Sequence, residues 1–189
     1  MNAFDSALIV AALGVAALTF TQPPITVIAD IVAVYAASVL AGILYRPASQ
    51  FAVMRFLPDS GTRTVRIVVF VVLLIGGALV LRGILRRVAG LMAVSRLAAG
   101  PLLGNVLSAG LAVVLALGVV LLAVVAVVTV AQIPSSVGIV AFAREQTVHS
   151  ILLPRLTEPI TIYLRLVGVF FPHGLPEVYN SVAGLAIPA

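Results

Sequence analysis

The feature that most constrains this chain is a stretch of 47 residues, 97–143, without a single charged side chain. Apolar runs of about 18 residues or more are typical of membrane-spanning helices. Charged residues make up only 9% of the 189-residue sequence and the mean hydropathy is +1.27, whereas a soluble domain needs more charge to cover its surface. The sequence therefore predicts an integral membrane protein.

The few charges are scattered along the chain. All eleven basic residues are arginine, the net charge is +5, and no cluster resembles a nucleic-acid-binding patch, so we expect no nucleic-acid partner. Counting basic residues gives no orientation, because four arginines flank each of the two later connections between helices. Arginines near the ends of apolar segments can extend their charged heads to the lipid headgroups; the candidates are Arg66, Arg82, Arg86, Arg87 and Arg96.

Four apolar segments predict an all-α, polytopic membrane protein with about four transmembrane helices. Proline pairs or arginines set their boundaries, at about 7–20, 25–45, 64–85 and 101–131. The first segment would rise only about 21 Å against a hydrocarbon core of about 30 Å, so it either borrows flanking residues or does not cross fully. We interpret it as a retained helix and not a signal peptide, because it lacks a basic start and carries Asp5.

The C-terminal part differs in character from the rest. Residues 136–189 mix charges and prolines with apolar residues, in segments too short and too charged to span a membrane. Abundant Leu, Ile, Val and Phe argue against the alternative, a disordered tail. We therefore predict a four-helix transmembrane domain over residues 1–135 and an amphipathic interfacial tail over residues 136–189.

Asp30 is the acidic residue well inside an apolar segment. Gln22, Thr26 and Asp30 follow one another at intervals of four and share one face of the second helix. An intramembrane carboxylate deserves a functional hypothesis, here a proton- or ion-responsive group lining a cavity. The alternative is a structural carboxylate near the helix start, bonded to a neighbouring helix or paired with an arginine. We favour the structural role, because no second intramembrane acid is visible.

A stripe of small residues opens the fourth helix at strict four-residue intervals. In lipid, small residues let helices approach closely, and this period predicts a right-handed crossing at about 40°. Asn105, beside the stripe, could donate a hydrogen bond across the contact. Gly76 and Gly77 of the third helix are candidate counterparts, and so is a helix from another chain. The stripe consists of Gly100, Gly104, Ser108, Ala112 and Ala116.

The sequence shows no arrangement typical of a catalytic or metal site. Cysteine is absent, which excludes disulfides and thiolate ligands. His149 and His173 lie 24 residues apart without an acid or second histidine at metal-ligand spacing. There is no nucleophile elbow and no glycine loop for phosphate. We expect no catalytic residue, no metal, no cofactor and no enzyme activity.

The layout resembles the colicin V production protein (CvpA) family of bacterial membrane proteins. In that family the fourth helix starts with glycines four apart after a basic residue, and "SRLAAGPLLGNVLSAG" has Arg96, Gly100, Gly104 and Ser108 in similar register. Ser95 stands where the family has an acid. The resemblance implies a multi-pass protein of the bacterial cytoplasmic membrane that supports envelope homeostasis or export, without known catalytic residues.

These observations lead to one function prediction and two alternatives. We expect a non-enzymatic protein that scaffolds or supports an envelope process, with the lipid bilayer and other membrane subunits, or further copies of itself, as partners. The first alternative is an accessory subunit of a larger respiratory, photosynthetic or transport complex. The second is a small carrier or channel that uses Asp30.

Overall fold

The structure, a computed structural model, describes residues 2–55, 62–92, 101–134 and 138–186. Arg96 and Gly100 lie outside these ranges; Gly104 and Asn105 lie in α4, but their side chains are outside the description. Within the described ranges the chain is helical and contains no strand, which confirms the all-α prediction. The elements are α1 (Ala3–Phe20), α2 (Pro24–Arg55), α3 (Thr62–Met92), α4 (Pro101–Ala131), α5 (Gly138–Val148), a 3-10 turn (Leu153–Leu156), α6 (Thr157–Gly168) and α7 (Glu177–Ala186).

In the described part of the chain, α1 to α4 are long and apolar enough to cross a membrane, which confirms the polytopic fold. Helix α1 starts four residues earlier than predicted, because the Asn2 side chain caps it by accepting a hydrogen bond from the Asp5 backbone N–H at 2.9 Å. Its 18 residues rise about 27 Å, close to the thickness of a hydrocarbon core. The first segment thus gains its missing length at its N-terminus.

Helices α2 and α3 both continue beyond their predicted ends. The sequence predicts an end of the second helix near residue 45, yet α2 runs through Pro47 to Arg55. The buried Tyr45 and Ser49 hold this extension against the rest of the molecule, and Ser49 Oγ donates to the Arg46 carbonyl at 2.8 Å. Tertiary packing therefore overrides the helix-breaking tendency of the proline. Helix α3 similarly extends past 85 to Met92.

Helices α2 and α4 form the centre of the bundle. In the most apolar part of each helix, 44% of α2 and 56% of α4 are buried, against 17% of α1 and of α3. The core that they share with α3 is aliphatic and aromatic, with Phe70 and Leu74 of α3 and Val124 and Val128 of α4 almost fully enclosed. Helices α1 and α3 flank this centre and expose several large apolar side chains, among them Leu13, Leu18 and Val72.

The described part of the tail packs against the helical bundle. Val167, Tyr179 and Val182 are fully enclosed, in the same hydrophobic core as residues of α2, α3 and α4. The described residues of α6 and α7 therefore share a core with the four long helices. The location of the tail at the membrane interface depends on its contacts with lipid and stays a prediction.

Tyrosine hydroxyls hold the tail to α2. Tyr163 forms a buried hydrogen bond with the Ser38 hydroxyl, and Tyr179 donates to the Ser38 carbonyl at 2.7 Å. Tyr35 donates in the opposite direction, from α2 to the Leu166 carbonyl of α6 at 2.6 Å. Burial raises the pKa of Tyr163 to about 12 and also raises the pKa of Tyr179, so both phenols are neutral near neutral pH.

Gly42 allows the close approach of α7 and the turn before it. A Cβ at this position would lie 2.7 Å from Phe171 Cζ and 3.1 Å from Tyr179 Cε2. The ring of Phe70 packs edge-on against Tyr179, with ring centroids 5.2 Å apart, and against Tyr45 in the same manner. The glycine therefore makes room for an aromatic cluster that joins α2, α3 and α7.

Candidate functional site

Asp30 lies beside two arginines of α3 at one end of the bundle. Arg86 Nε donates to Asp30 Oδ1 at 2.7 Å and Arg86 Nη2 donates to Asp30 Oδ2 at 2.5 Å, which is a two-point pair. Arg82 Nε lies 3.2 Å from Asp30 Oδ2. Gln22 joins the group by accepting a hydrogen bond from Arg86 Nη2 at 2.9 Å. We call Gln22, Asp30, Arg82 and Arg86 the Asp30 cluster.

The charges of the Asp30 cluster do not cancel. The carboxylate is only 2% exposed, whereas the side chains of Arg86 and Arg82 are 32% and 45% exposed. Two guanidinium groups face one carboxylate, so the cluster carries a net charge of +1. Pairing reduces the cost of placing the carboxylate in an apolar bundle, and the two arginines keep part of their polar surface open to the surroundings.

An apolar cavity of about 200 Å³ begins at the Asp30 cluster. Asp30 and Arg82 line one end of it, and all four long helices contribute to its walls. Val15 comes from α1 and Ala78 from α3; the remaining walls are Val34, Ile75, Leu79, Leu115, Val119 and Leu122. The cavity is therefore polar at one end and hydrocarbon-like along the rest.

Of the other sequence-predicted polar residues whose side chains the structure describes, Thr26 is half-buried on α2 between Gln22 and Asp30. Arg87 is exposed on α3. Arg66 lies at the opposite end of α3, with Nη1 3.7 Å from Glu177 Oε2. There it lines a second cavity of about 380 Å³ together with Arg63 and Tyr45.

The described members of the small-residue stripe face the inside of the bundle. Ser108, Ala112 and Ala116 are all buried, and Ser108 Oγ donates to the Gln22 carbonyl at 3.2 Å. Ala116 also lines a cavity shared with Leu8 and Ala12 of α1. The stripe therefore meets α1 and the turn after it, within the same chain.

Gly76 and Gly77 of α3, the candidate partners of the stripe, have different surroundings. A Cβ at Gly77 would lie 3.7 Å from the Ala37 Cβ, so Gly77 contacts α2 and not the stripe of α4. A Cβ at Gly76 would meet no atom within 4 Å. The same is true of Gly83 and Gly90, which follow Gly76 at intervals of seven residues.

Sequence reasoning missed a second buried acid, Asp5. Its carboxylate accepts hydrogen bonds from Ser150 Oγ at 2.5 Å, the Ile151 N–H at 3.0 Å and the Leu152 N–H at 3.4 Å. Asn2 strengthens the same junction by donating to the Gln146 carbonyl at 2.7 Å. The N-cap pattern around Asp5 was visible in the sequence, but its partners lie more than 140 residues away along the chain.

The polar groups of the described bundle are engaged with one another. Each buried side-chain nitrogen or oxygen in the described residues has a hydrogen-bond partner. No group of three or more His, Asp or Glu side chains suitable for a metal ion occurs among those residues.

The chain matches no protein-family model, and no curated protein or solved structure is detectably similar to it. The resemblance to the CvpA family stays a prediction. The helices themselves support the broader conclusion that this is an α-helical membrane protein.

Proposed function

We propose that this chain is a non-enzymatic scaffold of the bacterial cytoplasmic membrane that supports an envelope or export process by docking a partner helix on α3. The observation that carries the proposal is the outward face formed by Gly76, Gly83 and Gly90, which we call the α3 glycine face. Each of these glycines has open space where a side chain would stand. The resemblance to the CvpA family supports the same type of function.

The α3 glycine face has the geometry of a helix-docking surface. A seven-residue repeat drifts by only about 20° per repeat around an α-helix, so the three glycines share one side of α3. Small residues let two backbones approach closely in lipid, where association depends on packing. A neighbouring side of α3, about 100° around the helix, is already occupied, since Gly77 and Phe70 pack toward the interior.

An accessory subunit of a larger membrane complex is the second candidate. Helix α1 also exposes an apolar side, with Val10, Leu13 and Leu18 all more than half exposed. Because α1 and α3 each have an exposed side, the chain can contact one partner on each of these helices. The scaffold and the accessory subunit differ in the identity of the neighbouring chains, because the first can assemble from copies of itself.

A carrier that uses Asp30 is less favoured by the geometry. Both carboxylate oxygens already accept charge-assisted hydrogen bonds from Arg86, and Arg82 lies next to one of them. A carboxylate that exchanges protons or ions must first lose these partners. The variant Asp30→Asn separates the functions: it abolishes ion-dependent transport by a carrier and leaves partner docking on α3 unchanged.

Purification of the full chain in a mild detergent tests the docking proposal. Mass measurement and identification of co-purifying chains distinguish a homo-oligomer from a mixed complex. We expect Gly83→Leu to release the partner, because the larger side chain holds the two helices apart. The matched control is Gly110→Leu on α4, another glycine with open space around it. An assembly unchanged by Gly83→Leu, or equally disrupted by both substitutions, contradicts the proposal.

A further inference from the structure

We propose that the cavity beside Asp30 binds one acyl chain of an anionic phospholipid, whose phosphate pairs with Arg82. The inference concerns a lipid site between the helices, at a cavity whose lining includes the exposed Ile75 and Leu79, and it does not depend on the docking of a partner on α3. It follows from the charge of the Asp30 cluster, the open donors of Arg82 and the shape of the cavity.

The Asp30 cluster lacks one negative charge. Both carboxylate oxygens of Asp30 accept hydrogen bonds from Arg86, so the positive charge of Arg82 is not neutralised within the cluster. An unbalanced charge within a membrane-spanning helix is costly, and a bound anion removes the imbalance. A phosphate at Arg82 would bring the net charge of the cluster to zero.

Arg82 has donors available for that phosphate. Among the described residues, Asp30 is its one polar partner, reached through Nε at 3.2 Å. The two terminal nitrogens of the guanidinium remain, and the side chain is 45% exposed. Arginine binds phosphate through two parallel N–H groups, a geometry that suits a headgroup better than a diffuse counterion.

The position of Arg82 along α3 suits a lipid headgroup. Arg82 directly follows the charge-free stretch 67–81, and the next arginine, Arg86, lies four residues or about 6 Å further along the axis. The long side chain of an arginine can cover much of such a distance toward the membrane surface. The phosphate of a lipid in the adjacent leaflet can thus meet Arg82 while its acyl chain extends toward the bilayer centre.

The cavity accepts hydrocarbon and excludes a large polar ligand. Its volume of about 200 Å³ is below the range of about 300–1,000 Å³ that is typical of small-molecule sites. Beyond Asp30 and Arg82 its walls are aliphatic, from Val15 on α1 to Leu122 on α4. One segment of a single acyl chain fits this space, and the headgroup remains outside at Arg82.

The test places the full chain in lipid nanodiscs containing equal amounts of phosphatidylglycerol and phosphatidylcholine. Native mass spectrometry then measures which lipid the released protein retains. We expect a preference for phosphatidylglycerol that falls about fivefold in Arg82→Gln, which corresponds to the loss of one arginine contact with an anionic headgroup. Arg82→Lys keeps the charge and should keep most of the preference.

Blocking the cavity tests the acyl-chain half of the proposal. Ala78→Phe places a ring in the cavity and should reduce retention of the bound phospholipid. The matched controls are Arg87→Gln, an exposed neighbour of the cluster, and Val80→Phe on the exposed side of α3. Both controls should retain phosphatidylglycerol as the unmodified chain does.

Several results would overturn the proposal. They are an unchanged preference in Arg82→Gln, an equal loss in Arg87→Gln, full retention in Ala78→Phe, or retention of a single-chain fatty acid in place of a phospholipid. The unmodified chain provides a test that does not depend on the folding of variants. A phosphatidylglycerol with a photoreactive acyl chain should label Leu115 or Val119, which line the cavity. Labelling confined to exposed residues outside the cavity, such as Val80, contradicts binding of the acyl chain in this cavity.

Discussion

At the scale of single residues, this bundle uses a few polar contacts between distant parts of the chain to fix which helices meet. Asp30 and Arg86 are 56 positions apart, and Asp5 meets Ser150 across 145 positions. Both acids are buried, and in a buried position a hydrogen bond to a charged group is strong and a missing partner is costly. These contacts select one arrangement of helices whose apolar surfaces are otherwise similar.

The two arginines of the Asp30 cluster share one carboxylate, so their contributions to stability should not add. Arg86→Gln leaves Arg82 beside Asp30, and Arg82→Gln leaves the two-point pair intact. The double variant leaves a buried carboxylate without a cation, which costs about 3–5 kcal/mol of unfolding free energy. Detergent-induced unfolding of all three variants measures this coupling, and a double variant equal to the sum of the singles within about 0.5 kcal/mol contradicts it.

Tyr163 should make the docked tail sensitive to alkaline pH. Its pKa is raised to about 12 by burial, above the value of about 10 for an exposed tyrosine. The folded state therefore favours the neutral phenol, so its contribution to stability is complete below pH 10 and is lost as pH rises from about 10 to 12. The unfolding free energy measured across this window should fall less steeply in Tyr163→Phe. Identical slopes in the two proteins would show that Tyr163 titrates freely.

At the scale of helices, the sequence was informative about which segments are apolar and much less informative about what each one touches. Hydropathy alone predicted four long helices, because every membrane-spanning segment must satisfy its own backbone. The passage of α2 through Pro47 depends on burial of Tyr45 and Ser49, which no local propensity records. The four-residue stripe predicted a close contact, but its partner, the turn at Gln22, is a property of the assembled bundle.

Substitutions in α4 should separate internal packing from external docking. Ser108 is 3% exposed and donates to Gln22, so Ser108→Leu overfills a closed contact and removes a hydrogen bond. We expect a loss of about 1–3 kcal/mol in unfolding free energy. Gly110→Leu, two residues later, points into open space and should leave stability nearly unchanged. Thermal unfolding in detergent compares the two variants. Equal effects would mean that the inward face of α4 is packed no more tightly than its outward face.

Gly42 offers the corresponding test for the contact between α2 and the tail. A leucine there must displace Phe171 and Tyr179, and should cost about 1–3 kcal/mol through overpacking. Because the displaced groups belong to the tail, we expect proteases to cleave residues 169–176 faster in Gly42→Leu. Gly14→Leu on α1 is the matched control, since a Cβ at Gly14 meets no atom within 4 Å. Unchanged cleavage in Gly42→Leu would show that the tail tolerates the added volume.

For the molecule as a whole, the packing of the tail bears on the prediction, made from the composition of the chain, that residues 1–135 form a domain of their own. The tail places Val167, Tyr179 and Val182 in the shared core, and burial of one such side chain is worth about 1.5–3 kcal/mol in water. A chain ending at residue 135 should therefore lose helix content at lower temperature than the full chain. Co-expression of residues 136–189 as a separate segment should restore the stability of the full chain, whereas a truncated chain as stable as the full one supports two independent domains.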